Sequence, residues 1–402
     1  MSINSNTKSF TEFTEGILTL EKSPLHDTLK SLSNPDNLSF GLGLPNKKFF
    51  PSEAFTELAT KLFDNRSVYQ YQDPIRELKK MIVDIMKVRG VYCNENQVVL
   101  THGAQQGVNL LVHLLLPQGG KVITEDIVYA EFMRIIKPYN PDHITVPIDF
   151  EEGIDLDSLE KLLQSGLRPS LIYNISSGHN PLGINLSAYK KERLAQLARK
   201  YSFPIIEDDP YGFLNYDGKN HIPTRSYDAD WVFYVGSFSK ILAPSFRTGW
   251  IIAPEHVVEK LNALKEISDL NTATISHHLI LSYLQNYDIF QHINNINLEY
   301  ASRRDTMINA IKTYFPSTTT YHSPDNGMFL WVQLQEDIDT LELLKKSVEE
   351  EKVAFLPGEV FCANGLEKTK NCMRLNFTNF SNEQIQDGIA RLGKSIEKYL
   401  RK

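Results

Sequence analysis

The sequence predicts an α/β protein of two domains: a large one built on an open, mostly parallel sheet flanked by helices, and a smaller α+β one. Three observations predict it. The chain has 402 residues, more than the ~250–300 at which a single hydrophobic core stops growing. From about residue 95 to 255, short apolar runs alternate with amphipathic stretches, the pattern of strands joined by crossover helices. After Tyr300 helices mix with shorter strands instead, which marks the second unit.

Val98 to Leu100 is a short β-branched strand. The turn Thr101-His102-Gly103-Ala104 then opens a helix whose Val108, Leu111, Val112 and Leu115 recur at i, i+3, i+4 and i+7. Lys121 to Glu125, Ser170 to Ile175 and Phe203 to Glu207 read as further strands, with an amphipathic helix through Leu194, Leu197, Ala198 and Tyr201 between the last two. Trp231 to Val235 and Trp250 to Ala253 complete the series. In an open sheet of this kind, ligands bind at the carboxyl ends of the strands. Beyond Tyr300, Leu341, Leu344 and Val348 mark a helix face, and Phe329 to Leu334 and Cys372 to Phe377 are strands. We expect the large domain over 46–299 and the smaller one from 1–45 and 300–402.

Composition removes several classes of function. A hydrophobic share of 42%, a charged share of 23% and a net charge of -7 describe a soluble globular chain with no basic surface for nucleic acid. The polar stretch Met1 to Lys8 is no secretory signal, and no apolar run reaches the ~20 residues that cross a bilayer. Cys93, Cys362 and Cys372 form no C-x-x-C pair and no disulfide framework, so a cytoplasmic location is expected. No metal site is expected either. The neighbours His277 and His278 point to different sides of a helix and cannot chelate together, and Glu349-Glu350-Glu351 reads as a solvated helix end.

The chemistry concentrates in three segments. Gly236-Ser237-Phe238-Ser239-Lys240 follows a strand, and Arg247-Thr248-Gly249-Trp250 closes the same stretch. Lys240 at a strand's carboxyl end can add to a carbonyl cofactor once burial or nearby charge lowers its pKa. Ser237, Ser239 and Arg247 supply the donors a phosphate needs, although a lysine among serines is by itself usually just a surface residue. Glu207-Asp208-Asp209-Pro210-Tyr211 ends another apolar strand; a buried carboxylate there can hold a pyridine nitrogen protonated, while an Asp before Pro is commonly a turn cap, the reading taken for Asp209. Thr101-His102-Gly103-Ala104-Gln105 puts a tight turn at a helix N-terminus, which favours an anion. No G-x-G-x-x-G follows any of the strands, so this is not a dinucleotide fingerprint.

In these segments the chain resembles the fold-type-I pyridoxal-phosphate enzymes of the class I and II aminotransferase family, above all the branch of 2-aminoadipate and kynurenine aminotransferases and aminotransferase-like bacterial regulators. The similarity runs from about Ser23 to Phe380. It implies a sheet of the family's seven-stranded type, pyridoxal 5'-phosphate as cofactor, amino acid and 2-oxo acid as substrates, and a homodimer. It also implies roles. Lys240 would carry the cofactor as a Schiff base and move the substrate's Cα proton. Asp208 would face the pyridine nitrogen, and Tyr211 and Asn180 the ring oxygen. Tyr129 would stack on the ring, and Ala104, Gln105, Ser237, Ser239 and Arg247 would form the phosphate cup. Tyr71 would reach in from the other subunit. Arg374 would clamp the substrate α-carboxylate, with Asn180, Gly43 and His26 also on the substrate side.

Departures from the family pattern fall around the substrate. His26, in Ser23-Pro24-Leu25-His26, stands where relatives carry an arginine, and Leu42-Gly43-Leu44-Pro45 replaces a Gly-Gly-Leu-Pro gate, narrowing the entrance. Ser176-Ser177-Gly178-His179 replaces Pro-x-aromatic-Gln, so Gly178 is expected to open space beside the cofactor. His26 and His179 are read either as substrate contacts or as a solvated helix residue and a satisfied loop residue. The segment after Tyr71, Gln72 to Leu78, is about two residues shorter than in relatives and lacks their glycine. Transamination by a ping-pong mechanism is the leading expectation. Decarboxylation, elimination, racemisation or side-chain replacement on the same cofactor is the alternative. A non-catalytic sensor domain is disfavoured, because the roughly twenty residues before Ser23 are too few for a winged helix.

Overall fold

The computed structural model describes residues 34–363 and 367–401. At its centre is a seven-stranded sheet: β1 (Val98–Thr101), β2 (Lys121–Glu125), β3 (Asp142–Val146), β4 (Leu171–Asn174), β5 (Ile205–Asp208), β6 (Val232–Ser237) and β7 (Gly249–Ile252). Their order is β1-β7-β6-β5-β4-β2-β3. Only β7 is antiparallel to its neighbours. Every residue of β1, β4, β5, β6 and β7 is buried, which is why these strands read as unbroken apolar runs: helices cover both faces, and neither face can be polar-out.

Among the covering helices, α1 (Arg76–Val88), α2 (Gly103–Leu115) and α3 (Ala188–Tyr201) belong to the first part of the chain. In α2, Val108, Leu111 and Val112 are buried on one stripe, as their spacing predicts. The seven-stranded sheet separates two apolar cores. One contains Ile123, Ile172, Ile205 and Val232 against α3, and the other continues into the rest of the molecule.

The later part is built on a four-stranded antiparallel sheet in the order β8-β9-β11-β10, from β8 (Thr320–Tyr321), β9 (Phe329–Gln333), β10 (Leu356–Pro357) and β11 (Cys372–Asn376). The 26-residue α4 (Ile289–Tyr314), which packs along α5 (Asn382–Leu400), runs through the boundary expected at 299/300 and so forms the connection itself. A Ser381–Gln384 capping box starts α5, satisfying free N–H groups of its first turn. Leu38–Ser39 pairs in parallel with Val353–Ala354, tying the early chain to this part. The expected face at 341, 344 and 348 is shifted. Thr340, Leu343, Leu344 and Ser347 are the buried residues, a regular i, i+3, i+4, i+7 stripe that the helix over Thr340–Lys346 sets before a π turn over Ser347–Glu351 begins. Among the described residues, no helix is long and apolar enough to cross a membrane.

Candidate active site

A cavity opens at the carboxyl ends of β5 and β6, lined among others by Lys240, Asp208, Tyr211, Asn180 and Tyr129. One corner is built for an anion. Ser237 ends β6, its Oγ lies 2.9 Å from Ser239 Oγ, and Arg247 approaches Ser239 Oγ at 3.5 Å. The guanidinium also reaches His102 O at 3.3 Å, which lays it across Gly103. That residue has φ +78, and any Cβ on it would collide with Arg247; only glycine fits. Behind it, α2 begins without a side-chain cap, so first-turn N–H groups around Ala104 and Gln105 are left for a ligand. Ala104, Gln105, Ser237, Ser239 and Arg247 all line the cavity.

On the floor, Asp208 is 5% exposed. Tyr173 donates its hydroxyl to Asp208 Oδ2 at 2.7 Å, whereas Oδ1 has no partner. Burial raises the Asp208 carboxyl to about 7, with the Tyr173 hydrogen bond opposing the rise and Asp209 adding to it. Asn180 Nδ2 donates to Tyr211 OH at 3.3 Å. Lys240 donates from Nζ to Gly43 O at 2.8 Å, and burial, with Arg374 and Arg247 nearby, brings its amine down to about 8. A lysine at that value is within reach of the neutral, nucleophilic form.

Arg374, on β11, lies over the Phe329 ring at 4.0 Å and the Phe361 ring at 4.9 Å. It donates to Asn180 Oδ1 at 2.6 Å and to Gly41 O. Burial lowers its pKa to about 10, which leaves it charged at neutral pH and able to take a carboxylate through two parallel bonds. Its Nε has no partner.

Two expectations are corrected and one open reading is decided. Asp209 is not a turn cap. It is buried and paired with Arg89 at 2.9 Å, the two side chains 0% and 4% exposed, and Tyr234 OH donates to it at 3.1 Å. Gly178 opens no space, because even a Cβ on it would collide with Asn326, the Gly327 backbone and Tyr211 Cβ. Of the two readings of His179 the satisfied loop residue holds: it is buried with Nε2 3.0 Å from Glu125 Oε2.

Each residue of the unusual loop is thus anchored from outside the cavity. Ser176 bonds Glu207, Lys191 Nζ donates to Ser177 Oγ at 3.0 Å, and the Gly178 amide donates to Asn185 Oδ1 at 2.8 Å. His26 lies outside the described residues. Tyr71 is 75% exposed and lines a separate hollow with Tyr69 and Thr272, away from its own chain's cavity. His277 is buried while His278 bonds Gln72. Glu350 and Glu351 hold Lys398. Among the described residues, no group of His, Cys, Asp or Glu could hold a metal ion.

Sequence reasoning missed Tyr173, Glu125, Arg89 and Lys191. For Tyr173 a signal existed. Strand alternation, with Tyr173 opposite Ile206, puts it on the same face as Asp208, as a diagonal neighbour within reach of a long side chain.

The donor set fits a phosphorylated pyridine aldehyde. It offers an anion corner, an unpartnered carboxylate oxygen for a ring nitrogen, phenol and amide donors for a ring oxygen, and an amine of lowered pKa. Comparison with known proteins agrees. The family described as aminotransferase class I and II matches residues 38–392. Aromatic-amino-acid aminotransferase 1 of Thermococcus litoralis is 34% identical over 97% of this chain and 95% of its own length. The 2-aminoadipate transaminase of Thermus thermophilus is 30% identical over 96% of each chain. The crystal structure of Pyrococcus horikoshii kynurenine aminotransferase, in complex with PMP and with kynurenine as substrate, superposes with a TM-score of 0.90 at 30% identity, covering 96% of this chain and 97% of the other.

Proposed function

The chain belongs to the class I and II aminotransferase family and is a pyridoxal-phosphate-dependent enzyme that moves an amino group from an amino acid to a 2-oxo acid; from that premise we propose how its residues divide the work. The observation that carries the proposal is Lys240: one amine, its pKa brought down to about 8, in a cavity shared with Asp208, Tyr211, Asn180 and the Ser237–Ser239–Arg247 corner.

Bound there, pyridoxal phosphate supplies an electrophilic aldehyde carbon and an electron-accepting ring. Ser237, Ser239, Arg247 and the N–H groups near Ala104 and Gln105 hold its phosphate. Asp208 Oδ1 would accept from the ring nitrogen, Tyr211 and Asn180 would bond the ring oxygen, and Tyr129 would serve the ring itself. Lys240 Nζ is the nucleophile for the aldehyde. The same Nζ would move the Cα proton of an L-α-amino acid substrate, as base and then acid. Arg374 holds the substrate α-carboxylate, and the Gly43 carbonyl, freed of Lys240, faces the substrate. An amino acid and an oxo acid occupy the one cavity in turn, which gives ping-pong kinetics.

We also propose a cytoplasmic homodimer in which the exposed Tyr71 enters the partner's site, with 46–299 as the cofactor-holding domain and 1–45 plus 300–402 as the smaller one. A spectral screen tests the reaction. Amino acids should convert the visible band of the purified protein to that of the amine form, and an oxo acid should restore it. Release of carbon dioxide or of an eliminated fragment, without restoration, overturns it.

A further inference from the structure

We propose that Tyr173 is a positioning residue for the reaction: its hydroxyl, bonded to one oxygen of Asp208, keeps the shared proton on the cofactor's pyridine nitrogen instead of on the Asp208 carboxyl. This rests on the reading that Asp208 faces that nitrogen. Tyr173 donates to Oδ2 at 2.7 Å and leaves Oδ1 unpartnered in a residue that lines the cavity. The phenol is fixed in place by Phe132, whose ring stacks on it with centroids 3.8 Å apart and planes 10° apart. Both side chains are buried, and Tyr173, which does not itself line the cavity, reaches it through its hydrogen bond to Asp208.

A carboxylate in this position needs help to stay charged. Among the described residues no cation bonds Asp208: Arg89, in the same buried region, is taken by Asp209, and Asp209 itself adds negative charge. Burial pushes the Asp208 carboxyl up while the Tyr173 bond pulls it down, because a hydrogen bond to the charged form favours that form. Tyr173 stays a donor, since burial and Asp208 hold its own pKa well above the usual phenol range. A more basic Asp208 would take the proton from the ring nitrogen, and a neutral ring accepts electrons poorly.

The test uses holoenzyme loaded with cofactor carrying ¹⁵N in the ring. At pH 8 the wild type should give the chemical shift of a protonated pyridine; a neutral nitrogen there overturns the inference. Tyr173→Phe keeps the stack and removes only the hydroxyl. It should move the signal toward neutral pyridine and lower kcat about ten-fold, the scale of one charge-assisted hydrogen bond, with KM nearly unchanged. A wild-type signal and kcat in Y173F would show that Tyr173 only packs. Asp208→Asn separates the two levels. If D208N leaves the nitrogen signal unchanged, the placement of Asp208 fails and the inference with it. If D208N shifts the signal and Y173F does not, only the inference falls.

Discussion

The two halves of the cavity are made differently. On the cofactor side, Asp208, Ser237, Ser239 and Lys240 stand at or just beyond the ends of two adjacent strands of one sheet, so backbone hydrogen bonding sets their spacing. On the substrate side, Gly43 and Arg374 come from two separate segments, with Asn180, shared with the cofactor side through Tyr211, on a third. They are held by buried side-chain pairs such as His179 with Glu125 and by cations bonded to backbone carbonyls. The first arrangement is rigid because the sheet is; the second is as rigid as its anchors. Changes on the cofactor side should therefore abolish chemistry, and changes on the substrate side should alter binding while leaving the cofactor in place.

The largest effect is expected for Lys240→Ala: loss of the borohydride-sensitive visible band and a fall in kcat of about 10²–10⁴-fold, the usual weight of a general acid–base group. A normal band in K240A would end the distinction between the halves. Next, Asp209→Ala leaves Arg89 buried without its partner and should cost about 3–5 kcal/mol in urea unfolding. Third, Arg374→Ala removes charged hydrogen bonds worth about 1.5–3 kcal/mol each, so KM should rise steeply while the cofactor spectrum is kept; a lost spectrum would mean that the halves are not separable. The smallest effect is in pH. Because burial depresses the Lys240 pKa to about 8, the neutral amine grows as pH rises toward that value. Cofactor capture by the apoprotein, followed by stopped-flow absorbance, should accelerate up to pH 8 by at most about ten-fold per unit and level off above it.

How much of this was legible followed the same division. The strand-end motifs announced themselves, since a catalytic group placed by a β-strand lies next in sequence to the apolar run that carries it; Lys240 and Asp208 were found that way. The fold was legible for the same reason, down to the buried stripe of α2. Asp209 was misread because its partner Arg89 is 120 positions away, and no local pattern tells an aspartate that caps a turn from one that neutralises a distant arginine. The substitutions at Ser176 to His179 looked like changes to the substrate pocket. They are changes of anchor, made with Glu207, Lys191 and Glu125, each of which reads alone as an ordinary charged residue. Tyr173 needed strand register as well as sequence.

Gly41 and Gly43 engage Arg374 and Lys240 through carbonyl oxygens alone. Any amino acid supplies a carbonyl, so evolution, or a designer, can rewrite the side chains beside these contacts without erasing them. Leu42 is partly buried and Leu44 is 44% exposed. A combinatorial library at these two positions would vary the side chains beside the cavity while leaving untouched the oxygens that park Lys240 and Arg374. The segment is a natural handle for retuning substrate choice in an enzyme whose catalytic residues tolerate no such revision.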